Sequence, residues 1–171
     1  MTDFHSIWMM PCAEDLAVFE GVVAELAERF ATEPFIPHLT LVEDMPRGAD
    51  DLADVLARGF SGRARIETAV AGIGGGPAFF RSLYAAFHPE GALLEAKRTA
   101  VEHFATGDVA SFMPHVSLAY GAPETAKPAA MAELSRRLAG RIVRFDEIVV
   151  AASAQSIPIR DWRIVARHRL V

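Results

Sequence analysis

At 171 residues, with 51% hydrophobic and 23% charged side chains, the chain has the makeup of one globular domain able to bury a substantial core. Its 22 acidic residues against 17 basic ones leave a net charge of −5, which argues against clamping long nucleic acid, since that binding runs largely on phosphate neutralisation; a small nucleotide or a nucleic-acid end stays compatible. No apolar run approaches the roughly 18 residues of a membrane span, and Met1-Thr2-Asp3-Phe4-His5 lacks a signal peptide's basic start and apolar core, so no membrane partner and a cytoplasmic location are expected.

Residues 4–10 read as a strand, with Ile7 and Met9 on one face and Ser6 and Trp8 on the other. If the Ile7 face is core, Trp8 points into a cleft. Cys12 is the one cysteine, which precludes an internal disulfide and a multi-cysteine metal site, and it reads as a small apolar filler. Over 14–30 the apolar positions Leu16, Phe19, Val22, Val23, Leu26 and Phe30 recur at helical spacing, with Glu20, Glu25, Glu28 and Arg29 on the wet side. A strand is expected over 37–42, then a loop marked by Pro46 and Gly48, then a short helix over 50–60 with Leu52, Val55 and Leu56 inward.

Residues 63–73 read mostly as strand, and Gly74-Gly75-Gly76-Pro77 as the hairpin connection into a further strand over 78–87. No helix follows the glycines, so the mechanism of a phosphate-binding loop is missing. In that strand Phe79, Arg81 and Leu83 share one face and Phe80, Ser82 and Tyr84 the other, so Arg81 either reaches the cleft or is solvated. Residues 91–104 carry helical spacing through Leu94, Ala100, Val101 and Phe104. A strand over 113–120, a helix over about 123–138 and two strands, 142–151 and 160–170, complete the chain. A helix followed by a Pro-His strand thus occurs twice, which fits a pseudo-two-fold α+β architecture.

The two Pro-His strands carry the chemistry. Pro37-His38-Leu39-Thr40-Leu41 returns 77 positions later as Pro114-His115-Val116-Ser117-Leu118, each with a phenylalanine three residues before the histidine. Side chains alternate along a strand, so His38 and Thr40 share one face, as do His115 and Ser117. Each proline lacks an N–H for the sheet ladder, which suits the first position of a strand. One such segment means little. Two, at this spacing, suggest half-domains that each donate one strand to a shared cleft.

Two histidines facing across a cleft supply one general base and one general acid near neutral pH, each role worth about 10² to 10⁴ in rate. The hydroxyls of Thr40 and Ser117, two residues along on the same face, suit the oxygens of a phosphoryl group. A Ser-His-Asp hydrolase fits poorly: Ser117 shares a strand with His115, and no G-x-S-x-G elbow is present. Two histidines without an adjacent Asp, Glu or Cys also fall short of a catalytic zinc set, so neither metal nor other cofactor is expected.

These residues resemble the 2H phosphoesterase superfamily, named for its two histidines, and in particular its cyclic nucleotide phosphodiesterase branch. The likeness covers nearly the whole chain: Ser6-Ile7-Trp8-Met9-Met10-Pro11, Phe35-Ile36-Pro37-His38-Leu39-Thr40, Phe79-Phe80-Arg81, Met113-Pro114-His115-Val116-Ser117-Leu118-Ala119-Tyr120 and the strand around Trp162. It implies a bilobal, LigT-like α+β fold with two antiparallel sheets around a central cleft and helices outside, in a single domain over 1–171. It also implies metal-free opening of a cyclic phosphate, with His38 and His115 as acid and base in an order the motifs leave open, and Thr40 and Ser117 holding the phosphate. Branch members open ADP-ribose 1″,2″-cyclic phosphate and nucleoside 2′,3′-cyclic phosphates.

Tyr120 lies on the Leu118 side by strict alternation; the resemblance places it against substrate, and alternation does the same for Trp8. With Arg81 these form the expected substrate-binding set. Trp162 shares a face with Ile164 and Ala166 and reads as core, while Arg163, Arg167 and Arg169 read as a solvated face. His5, His88, His103 and His168 lack a hydroxyl at the motif spacing and read as ordinary histidines. The chain is expected to act as a monomer on a small cyclic-phosphate nucleotide. The competing readings are an enzyme of RNA 2′,3′-cyclic phosphate ends or a 2′,5′-RNA ligase-like enzyme, and a nucleotide-binding module without turnover.

Overall fold

Strands form on alternating or continuous apolar runs, and the segments whose apolar residues recur at 3.6 fold as the helices that cover them. The computed structural model describes residues 3–171. In chain order it runs β1 (His5–Pro11), α1 (Ala13–Phe30), β2 (Leu39–Met45), α2 (Ala49–Phe60), β3 (Ile66–Gly75), β4 (Leu83–Phe87), α3 (Gly91–Phe104), β5 (His115–Ala119), α4 (Lys127–Leu138), β6 (Ile142–Ala152) and β7 (Arg163–Arg169).

All strand pairings are antiparallel, in the order β1-β2-β5-β4-β3-β6-β7, and β6 also pairs with β1. One half of the sheet is therefore β2-β1-β6-β7 and the other β3-β4-β5, the two antiparallel groups expected around the cleft. They are linked into one seven-stranded sheet at two places. The start of β6 pairs with Ile66–Ala69 of β3, and β2 meets β5 through the single residue pair Leu39–Val116. The long β6 serves both halves, and the junction beside the histidines is one residue pair wide.

Alternation in β1 and β6 sends Ile7, Met9, Ile148 and Val150 to the main core and Trp8, Met10, Val149 and Ala151 to a smaller cluster on the opposite face. Both faces of these strands are covered here, which explains the unbroken apolar runs Ile7-Trp8-Met9-Met10 and Ile148-Val149-Val150-Ala151. Inward residues of α1, α2 and α4 such as Phe19, Leu26, Leu52, Phe60 and Leu134 fill the main core.

Four expected elements differ, the first being β2, which starts at Leu39 and runs on to Met45 through residues expected as loop. Phe79–Arg81 form a 3-10 turn and β4 starts at Leu83, so the two-residue alternation does not govern Phe79, Phe80 and Arg81. A second 3-10 turn, Ile159–Asp161, likewise delays β7 to Arg163. On α3 the buried stripe is Leu93, Ala96, Lys97, Ala100 and Phe104, with Leu94 and Val101 only half-buried. A lysine is held on that inward face because its ammonium donates to the Leu41 carbonyl at 2.6 Å.

Candidate active site

The Leu39–Val116 pair sets the geometry of the site. Residues directly opposite on antiparallel strands share a face, and both of these point into the core, fully buried. One step either way along the same register sets His38 against Ser117 and Thr40 against His115, all on the other face. The four polar side chains thus form a quartet with the two histidines on one diagonal, where neighbours lie within about 7–8 Å. All four line one cavity.

Each imidazole is oriented by the same local device. His38 Nδ1 lies 2.6 Å from the carbonyl oxygen of Ile36, and His115 Nδ1 lies 2.8 Å from that of Met113, in both cases the residue before the proline. A carbonyl only accepts, so Nδ1–H donates and Nε2 is the free nitrogen facing the cleft. The prolines at 37 and 114, both buried, lock the kink that brings each carbonyl back beneath its ring.

Behind the rings the halves differ. Trp8 is opposite Thr40 in the β1–β2 pairing and so on the cleft face, where its indole stacks on His38 with centroids 3.7 Å apart and 11° between planes. Burial pushes the pKa of His38 down to about 4; the Ile36 carbonyl opposes this and the nearby His115 adds to it. His115 meets the edge of Tyr84 at 5.2 Å. Its pKa is also lowered, chiefly by burial, with the Met113 carbonyl opposing and the charge of Arg81 adding. Ser117 donates its hydroxyl to the Phe80 carbonyl at 3.2 Å. Among the described residues no three His, Cys, Asp or Glu side chains come together to hold a metal ion.

The family model for the cyclic phosphodiesterase-like protein matches residues 4–170. The chain belongs to the cyclic phosphodiesterase-like family. A cyclic phosphodiesterase of Arabidopsis thaliana is 25% identical over 118 residues, covering 69% of this chain and 65% of the relative's length; the match thus spans just under two thirds of that protein. Two solved structures share the fold at 16% identity. TT0787 of Thermus thermophilus has a TM-score of 0.66 with 98% of this chain and 97% of that one covered, and E. coli LigT complexed with 3′-AMP has a TM-score of 0.62 with 99% of both covered.

In this cyclic phosphodiesterase-like chain, Tyr120 does line the cleft. β5 ends at Ala119, and Gly121 at φ 62° turns the chain before alternation would carry the phenol to the core. Burial pushes its pKa up, a hydrogen bond with Ser117 opposing, and Phe35 stacks on the ring at 3.8 Å. Trp8 also borders the cleft, but at 1% exposure it backs His38 rather than presenting a face. Arg81 is exposed and lines an adjoining cavity that shares His115 and Thr40 with the cleft. His5, His103 and His168 bond carbonyls of Arg47, Thr99 and Phe60, away from the quartet.

Trp162, expected in the core, instead lines the cleft, 5.9 Å from Phe80 and from Tyr120. The 3-10 turn before it removes the alternation on which the core reading rested, and its Nε1–H donates to the Ile157 carbonyl at 3.0 Å. Phe80, Glu43 and Asp44 also line the cleft without having been singled out. Asp44 sits at φ 52°, a conformation Asp tolerates better than most residues, and its carboxylate accepts the Gln155 N–H at 3.3 Å.

Proposed function

We propose that this chain hydrolyses a cyclic phosphodiester of a small nucleotide, such as ADP-ribose 1″,2″-cyclic phosphate or a nucleoside 2′,3′-cyclic phosphate, with His38 and His115 as the acid–base pair. The observation that carries this is the pair of free Nε2 atoms, each fixed by the same Nδ1–H to carbonyl bond and brought to one cavity by one register. A water oxygen bonds to phosphorus as the bond to one ribose oxygen breaks. One imidazole takes the water's proton and the other gives a proton to the departing oxygen. Thr40 donates to a free phosphate oxygen, and Ser117 does the same by turning its one hydroxyl proton from the Phe80 carbonyl to the phosphate, where charge builds in the transition state.

Burial keeps both imidazoles neutral in the free protein near pH 7, which readies either to act as base. The acid must gain a proton, and the substrate's negative charge beside a buried imidazole favours the charged form. Binding thereby prepares the acid. Tyr120 walls the nucleoside and Trp8 holds the His38 ring. The naming of the Arabidopsis relative and the 3′-AMP bound by LigT support a nucleotide phosphate as the ligand.

The test is turnover of both cyclic phosphates with EDTA present, by the natural protein and by His38→Ala and His115→Ala. Activity that resists EDTA and collapses in both variants is the expected result. Turnover that survives either substitution overturns the pairing.

A further inference from the structure

His115 is the less enclosed of the two histidines. Its Nδ1–H to the Met113 carbonyl fixes one edge of the ring, but the residue directly opposite on β4 is Ala86, whose side chain is a single methyl. Rotation of an imidazole about its Cβ–Cγ bond is soft, so one bond leaves the aim of Nε2 loose unless the ring is also held from the side. Trp8 does this for His38. In the other half the side chain that reaches His115 is Tyr84, with its ring centroid 5.2 Å away and 61° between the planes.

Two departures from regular sheet geometry put Tyr84 there. Leu83 pairs with Ala119, but the next pair is Tyr84 with Ser117, so β5 carries an extra residue, Leu118, at this point. A bulge of this kind re-aims the side chains beside it; without it Tyr84 would stand against Leu118, which belongs to the core. The second departure is Gly74, opposite Tyr84 on β3. A Cβ there would lie 2.4 Å from Cε2, 2.5 Å from Cζ and 2.6 Å from Oη of Tyr84. The backbone at Gly74 is not left-handed, and a glycine inside a strand weakens it. What the missing Cβ provides is a seat for the tyrosine ring.

We propose that Tyr84 is the positioning residue of His115: lodged in the space left by Gly74, it limits the swing of the imidazole and keeps Nε2 aimed at the reacting phosphate. It acts through the histidine and not on substrate, since it borders neither the cleft nor the cavity beside it. This rests on the cyclic phosphodiesterase reading for the task of His115. It goes beyond that reading in assigning what holds the ring to its task.

The experiment takes Tyr84→Leu, Tyr84→Phe and Gly74→Ala. Turnover is measured with adenosine 2′,3′-cyclic phosphate and ADP-ribose 1″,2″-cyclic phosphate, and the ring C–H resonances of His38 and His115 are followed through a pH titration of the free proteins. Tyr84→Leu and Gly74→Ala should lower kcat by about ten- to a hundredfold with KM held within about twofold, the scale of a small misaiming of a reacting group. Tyr84→Phe, which keeps the ring, should stay within about threefold of the natural protein. The charged neighbours of His115 are untouched by these changes: Arg81, Glu43, Lys97 and Asp108 around the adjoining cavity, and His38 across the quartet. Uncovering the ring in Tyr84→Leu should therefore raise the His115 midpoint toward its ordinary value and leave that of His38 in place, because burial is what chiefly lowers it.

An undiminished kcat in Tyr84→Leu and Gly74→Ala overturns the proposal, and so does an unmoved His115 midpoint. A loss confined to KM overturns it by making Tyr84 a substrate contact, and a loss in Tyr84→Phe as deep as in Tyr84→Leu overturns it by putting the hydroxyl in the chemistry. Should Tyr84→Leu fail to fold, Gly74→Ala carries both measurements, since the clash it creates is with the free end of one side chain. Natural protein that turns over neither substrate overturns the cyclic phosphodiesterase reading instead, and the His115 midpoint then decides by itself whether Tyr84 holds that ring.

Discussion

His38 lies flat on Trp8 with Trp162 6.3 Å away across its edge, whereas His115 meets only the rim of Tyr84 and keeps part of its surface in solvent. Their local frames are the same: Pro before, hydroxyl two residues after, Nδ1 on the carbonyl of the residue before the proline. The comparison separates two jobs. The carbonyl of the residue before each Pro-His motif sets which nitrogen faces the cleft, and the residues packed behind the ring set how readily that nitrogen takes a proton. A pair of like groups with unlike surroundings is the usual means of dividing acid from base.

The largest effect expected from breaking this comparison is on turnover. His38→Ala and His115→Ala should each lower kcat/KM for a cyclic phosphate by about 10² to 10⁴, and the double variant by far less than the product of the two losses. Multiplicative losses would mean that the two halves act independently. On stability the halves should diverge. Trp8→Ala, at a fully buried indole, should cost about 3–5 kcal/mol in urea unfolding, and Tyr84→Ala, at a half-buried ring, about 1–2 kcal/mol. Equal costs would remove the contrast.

The third prediction uses pH. His38 takes up its proton near 4 when folded and near 6.5 when unfolded, so across that window the unfolded chain binds more protons. Its contribution to stability is therefore whole above about pH 6.5 and is lost as the pH falls toward 4, by about 3 kcal/mol at most. Urea unfolding at pH 7, 5.5 and 4 should show the decline, and His38→Phe should flatten it more than His115→Phe does. The smallest effect is at the hydroxyls. Ser117→Ala removes the bond to the Phe80 carbonyl and should cost about 1 kcal/mol, whereas Thr40→Val, on a partly exposed side chain, should leave stability within about 0.5 kcal/mol while weakening phosphate binding.

Most of the fold could be read in advance because the helical period is long over 13–30 and the closing half of 142–152 is a continuous apolar run, the mark of a strand covered on both faces. The quartet was readable too, since two copies of one pattern constrain each other. What escaped was set by short irregular turns. At 79–81 and 159–161 a 3-10 turn replaces the start of a strand, so facing cannot be counted from the residues that follow, and Phe80 and Trp162 enter the cleft unannounced. Lys97 escaped for another reason. A lysine reads as wet unless the carbonyl that receives it is known, and Leu41 is 56 residues away.

The junction beside the quartet has a consequence for what a ligand does to the molecule. Backbone bonding between the halves is thinnest where Leu39 meets Val116, and the two histidine–hydroxyl pairs stand on either side of that line. A phosphate gripped from both strands, as proposed, would act as a clasp over a seam that the backbone leaves nearly unsewn. Occupancy should then quiet amide exchange along the seam as well as around the ligand. The site completes the architecture as much as the architecture builds the site.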